Sequence, residues 1–89
     1  MKIVAKPVAM IATFSSEPSK KPIPYKWRFC RECGERVEVV VEKIQTVEES
    51  RLAGIDALVY TCQSRILDQE YIYQLKYIIG QYRWELYKV

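Results

Sequence analysis

Histidine is absent from the 89-residue sequence. Its absence removes the commonest general base and the commonest metal ligand, and with them the Ser-His and Cys-His nucleophile pairs. Glycine is scarce, with three residues and no phosphate-cradling loop among them. No apolar run approaches the ~20 residues of a membrane-spanning helix. Lys2 and Lys6 precede a short apolar stretch, Val8–Ala12, but Pro7 opens it and no small-residue cleavage site follows. A secretory signal is therefore not expected. The three cysteines are an odd count without a disulfide framework, which reads as a reducing, cytoplasmic setting.

What is present is ordinary for one globular domain spanning 1–89: 49% hydrophobic and 28% charged residues. The charge is uneven. Met1–Arg36 carries eight Lys/Arg against three Asp/Glu, whereas Val37–Val89 carries six against eight. A basic first third would attract an acidic partner or nucleic acid.

The dominant apolar periodicity is two, the mark of half-buried strands. Val8, Met10, Ala12 and Phe14 share one face, and Ile23, Tyr25, Trp27 and Phe29 another. "RVEVVVEKIQTV" is β-branched, but Val37, Val39 and Val41 fall on the opposite parity from Ile44, which predicts a bulge near Val40–Val41. Thr46 and Glu49 have capping-box spacing and Gly54 suits a helix C′ position, so a short helical turn is expected over Val47–Ala53. Three further strands follow, with inward faces Leu58–Ile66, Tyr71–Ile79 and Tyr82–Leu86 and turns at Asp68–Gln69 and Gly80–Gln81. The expectation is an all-β fold: a small antiparallel barrel or roll of about six strands with one short helical turn.

Few constellations carry chemistry. Cys30 and Cys33 have C-x-x-C spacing, with Gly34 next. Structural zinc needs four ligands, so a zinc site would require Cys62 to converge on the pair with a carboxylate or water as the fourth, or a second chain to add its own knuckle. A redox pair would want a helix behind it, and a valine-rich strand follows instead. The economical reading is a hairpin in which Glu32–Glu35 make the turn and Gly34 takes a positive φ. In "KKPIPYKWRFCR", cations alternate with aromatics. If the aromatics are core, a nucleic-acid reading keeps only the charges, with Lys20, Lys21, Lys26, Arg28 and Arg31 on phosphates. Of the seven tyrosines, Tyr87 is out of phase with Trp84 and Leu86 and is the candidate outward tyrosine for a partner surface. The carboxylate pairs Glu48/Glu49 and Glu32/Glu35 read as surface residues, since nothing implies a pocket around them.

The segments "KPIPYKWRF", "VEVVVEKIQTVEESRLAG", "LVYTCQS" and "YIYQLKYIIGQYRWELYKV" together resemble a family of small uncharacterised all-β proteins from clostridia and related Firmicutes. More loosely, the pattern is similar to a small β domain of unknown function encoded beside Y-family DNA polymerase genes. The resemblance covers nearly the whole chain and is most specific at the C-terminus. It implies no activity beyond a hint of DNA-repair context. It also implies a second hairpin without cysteines, which makes "CREC" local to this chain.

The sequence thus points to a non-enzymatic accessory binding module for nucleic acid or a protein partner, with no membrane association. Two alternatives stand beside it. One is a metal-stabilised or thiol-based domain on Cys30, Cys33 and Cys62. The other is a structural homo-oligomer through exposed strand edges, with the first or last strand as the contact.

Overall fold

The computed structural model of the chain describes residues 1–17, 20–31 and 33–89. Seven strands form one antiparallel sheet: β1 (Ile3–Thr13), β2 (Ile23–Cys30), β3 (Arg36–Val40), β4 (Lys43–Leu52), β5 (Ile55–Ile66), β6 (Gln69–Ile78) and β7 (Arg83–Lys88). The order across the sheet is β3-β2-β1-β7-β6-β5-β4. Strands β3 and β4 therefore lie at its two ends, yet only Val41 and Glu42 separate them in sequence. A two-residue link can join both ends only if the sheet curls until they meet. The corner hydrogen-bonds to both flanks: Val41 N–H donates to the Tyr25 carbonyl on β2 (2.9 Å), and Glu42 N–H to the Gln63 carbonyl on β5 (3.1 Å). The result is a curled half-barrel in which β3 and β4 act as one bent strand. The parity conflict between Val41 and Ile44 falls at this corner, and a further register shift between Ile44 and Thr46 leaves Gln45 as an extra residue.

The inner face is aromatic. Tyr60, Cys62 and Ser64 from β5, Tyr73, Leu75 and Tyr77 from β6, Trp84 from β7, Trp27 from β2 and Val39 from β3 are all buried. Trp84 sits between Tyr77 and Tyr60, with ring centroids 4.8 and 5.3 Å away, and Trp27 meets Tyr73 edge-on at 5.4 Å. Tilted and edge contacts of this kind add to the burial of large apolar area. Polar atoms enter the core as a relay. Trp27 Nε1–H donates to the Tyr73 hydroxyl (3.2 Å), the Tyr73 and Ser64 hydroxyls share a hydrogen bond (2.5 Å), and Ser64 Oγ donates to the Val40 carbonyl (2.7 Å). Serine has one hydroxyl proton, already given to Val40, so Tyr73 must be the donor to Ser64. The relay ties β2, β6 and β5 to the last residue of β3. Among the described residues no buried side-chain nitrogen or oxygen lacks a partner.

Several expectations are corrected. Val47–Leu52 is strand, not a helical turn: Val47 pairs with Tyr60 and Glu49 with Leu58 across the β4–β5 ladder. Pairing along ten residues outweighs a local capping signal. Gly54 does have a positive φ (+80°), but beside Ala53 (+53°) in a two-residue hairpin turn. The helical turn lies instead at Ile79–Gln81, where a type II′ hairpin was expected. Tyr82 rather than Gly80 is left-handed there (φ 52°), which swings its side chain out of the Trp84 face. On β2, Ile23 and Tyr25 are 56% and 57% exposed rather than core. The β1–β2 register jumps from Ile11↔Lys26 to Ala12↔Pro24, so Tyr25 is an extra residue that inverts the parity before Trp27. The turn after β5 centres on Leu67 and Asp68, one residue earlier than expected. Finally, β1 and β7 pair with each other, so neither the first nor the last strand is an end of the sheet.

Candidate partner-binding site at the open end of the barrel

The hairpin tip after β2 has the expected character. Arg31 N–H donates to the Glu35 carbonyl and Gly34 N–H to the Arg31 carbonyl, both at 2.8 Å, and Gly34 has φ +87°. A turn followed by a left-handed glycine is a common three-residue hairpin connection. Glu32, the first residue of the expected turn, lies outside the described residues, as do Pro18 and Ser19. Cys30 and Cys33 are exposed and unbridged. Cys62 is in the core, its thiol 3.7 Å from the Tyr60 carbonyl and its pKa pushed up to about 12 by burial. The structure thus separates Cys62 from the exposed pair. Among the described residues no three His, Cys, Asp or Glu side chains come together as a metal site.

The cations expected to contact phosphates do not form one surface. Lys20 lies 3.8 Å from Glu17, Lys21 3.9 Å from Glu49, Lys26 2.7 Å from Glu38 and Arg31 3.5 Å from Glu35. Lys26 holds the Glu38 carboxyl below its ordinary pKa through a hydrogen bond and its charge. Such exposed pairs add little stability, but they neutralise the local field. Lys20 and Lys21 precede β2 and Arg31 follows it, so about eight residues of strand, roughly 26 Å, separate them. Arg28 makes no salt bridge within 4 Å among the described residues, but it stands across from Glu38 in the β2–β3 ladder and its charge also lowers that carboxyl's pKa. Tyr87 is half-buried on β7 with Lys76 and Lys88 nitrogens 4.8 and 5.3 Å from its ring centre.

A different site is assembled by β1. Its second half, Ala9–Thr13, pairs with β2, and its first half pairs only with β7. The β2 pairing stops at Ala9↔Arg28; Pro7, which that register would set against Cys30 at the end of β2, has no N–H to give a ladder, while the bulge around Ala5 (φ 45°) lies in the pairing with β7. The two strands splay into a fork of about 490 Å³ lined by Val4, Val8, Phe29 and Leu86 and by the cations Lys6, Arg28 and Arg36. Phe29 and Leu86 also wall the adjoining barrel mouth, a cavity of about 310 Å³ bounded by Trp27, Val37, Ile66 and Tyr73, with Arg31 at its rim. Leu67, at the tip of the β5–β6 turn, also lines this mouth and is 85% exposed. Tyr71 and Ile72, on the same rim, are about half exposed.

Leu67 is expensive where it sits. Leu67 and Asp68 have φ of 50° and 65°, a pattern that favours Asn-Gly. A leucine in the left-handed region costs on the order of 1–2 kcal/mol, and its apolar surface stays in water. Lys6, Arg36 and Leu67 were not singled out from sequence. The available signals were Pro7 inside a strand pattern and leucine where a turn favours asparagine. No family model, curated protein or solved structure matches the chain.

Proposed function

We propose that this domain is a non-enzymatic accessory module that binds an acidic segment of a protein partner across its open end. One observation carries the reading: a strained, exposed leucine stands at an apolar cavity, beside a fork whose cations Lys6, Arg28 and Arg36 make no salt bridge within 4 Å among the described residues. An apolar anchor would fill the mouth, and acidic neighbours would meet the cations. Strain retained at an exposed apolar tip is a common mark of function. A protein partner is favoured over nucleic acid because apolar side chains dominate both cavities, and four of the five cations first assigned to phosphates are already paired. A reducing, cytoplasmic setting fits this role, since three cysteines are an odd count without a disulfide framework.

The test is fluorescence polarisation with a fluorescein-labelled ten-residue Glu/Asp peptide carrying one central leucine, beside its alanine counterpart and a single-stranded oligonucleotide. The leucine peptide should bind, and weaken with salt. Leu67→Asn and the pair Arg28→Glu/Arg36→Glu should each weaken it at least about tenfold, on the order of 1.4 kcal/mol or more. Leu67→Asn should melt at the same temperature as the parent or higher, because asparagine relieves the turn. Equal binding of the leucine and alanine peptides, or tighter binding of the oligonucleotide, would overturn the proposal.

A further inference from the structure

Cys30 lines the fork beside Arg36, but the peptide-binding reading gives the Cys30/Cys33 thiols no role, and their placement has its own logic. Cys30 is the last residue of β2, paired with Arg36, and Cys33 sits in the turn that follows. Backbone hydrogen bonds from Arg31 to Glu35 and from Gly34 to Arg31, with the left-handed Gly34, close the hairpin around the pair. Both thiols face solvent and neither is in a disulfide. The C-x-x-C spacing is the one that half of a tetrahedral thiolate site uses. The chain cannot finish it alone from its described residues. It has no histidine, Cys62 is enclosed in the core, and no third ligand lies with the pair.

We infer that two copies of the chain join their hairpin tips around one zinc ion, with Cys30 and Cys33 of each copy as its four ligands. A two-fold axis through the metal satisfies the geometry, because each copy offers the same pair to the other. The assembly reaction is Zn²⁺ plus four thiols giving a tetrathiolate zinc centre and four released protons, with no change of oxidation state. The centre carries a net charge of −2; Arg36 opposite Cys30 brings a cation toward it, while Arg31 between the cysteines is already 3.5 Å from the Glu35 carboxylate. Hydrogen bonding to Glu35 holds the Arg31 backbone in place.

The experiment uses the full chain in a phosphine reductant, which keeps both thiols free. Native mass spectrometry and light scattering are measured with zinc added and with chelator, and cobalt(II) serves as the spectroscopic probe. The expected result is a doubling of mass with one zinc per two chains, reversed by chelator. Cobalt should give intense visible bands and a thiolate-to-metal charge-transfer band appropriate to four sulfurs. Cys30→Ser and Cys33→Ser should each remain folded by circular dichroism, stay monomeric with zinc and lose the tetrathiolate spectrum. Cys62→Ala should retain both dimer and spectrum. One zinc per monomer, no zinc uptake at a tenfold molar excess, or a dimer that survives chelator would each overturn the inference. Cys30 and Arg36 also line the fork, so peptide binding is read with chelator present and zinc binding is read in Leu67→Asn, which keeps both cysteines; the two proposals then fail separately.

Discussion

Tyr73→Phe removes one oxygen from the core relay and leaves the ring in place. In the native chain that oxygen accepts from Trp27 Nε1–H at 3.2 Å and shares a 2.5 Å bond with Ser64 Oγ. Phenylalanine leaves the buried Trp27 N–H with no acceptor and removes the donor to Ser64, while Ser64 still donates to the Val40 carbonyl. An orphaned buried donor costs about 1–3 kcal/mol and the lost hydroxyl bond about 1 kcal/mol, so the variant should lose about 2–4 kcal/mol. A domain of this length has a total stability on the order of 4–13 kcal/mol. The melting temperature should therefore fall on the order of 10–25 °C. Urea unfolding followed by far-ultraviolet circular dichroism measures this directly. The double variant Tyr73→Phe/Ser64→Ala sharpens the test. The two single losses both count the shared Tyr73–Ser64 bond, so the double loss should fall short of their sum by about 1 kcal/mol. A Tyr73→Phe variant within about 0.5 kcal/mol of the parent would refute the claim that the relay holds the corner where the two sheet ends meet.

Stability should fall in alkali, and Cys62 sets where the fall begins. Its folded pKa of about 12 lies above the ~8.5 of an unfolded thiol, so the unfolded chain releases its proton first. The contribution is fully present below about pH 8.5 and is lost progressively toward pH 12. Cys62→Ala should flatten the stability profile between pH 8.5 and 10, before Tyr60 and Tyr73, whose pKa values burial also raises, begin to count. In the native protein two thiols should react with an aromatic disulfide reagent and a third only after denaturation, since Cys30 and Cys33 are exposed and Cys62 is buried. Rapid reaction of all three in the folded state would place Cys62 wrongly. At the β4–β5 turn, Gly54→Ala should cost about 1 kcal/mol and Ala53→Asn should gain about 0.5 kcal/mol, because both positions have positive φ. Denaturant midpoints read both changes. Leu75→Ala, at a side chain with no exposed surface, should cost about 2–5 kcal/mol by the same measurement.

The sequence by itself determined the class of fold and most of the inner face. Leu58, Tyr60, Cys62 and Ser64 alternate without interruption along β5, and Tyr73, Leu75 and Tyr77 do so along β6. Strict alternation has one structural solution, so those faces were legible from period alone. The positive φ at Gly34 was legible for a different reason: a glycine in the turn between two strands takes the left-handed conformation at no steric cost. Tertiary structure decided the points where local preference and long-range pairing disagree. Thr46 and Glu49 look like a helix start, but β5 offers them a full ladder. Tyr25 looks like core, but a one-residue slip against β1 turns it outward, and no local signal sets that register. The candidate site depended on the same kind of decision. Lys6, Arg28 and Arg36 lie on three strands, and they share a fork because the pairing of β1 with β2 stops at Ala9, two residues after Pro7. A strand's alternation is local physics, whereas the meeting of separate strands depends on which backbone groups remain unpaired once the sheet has curled.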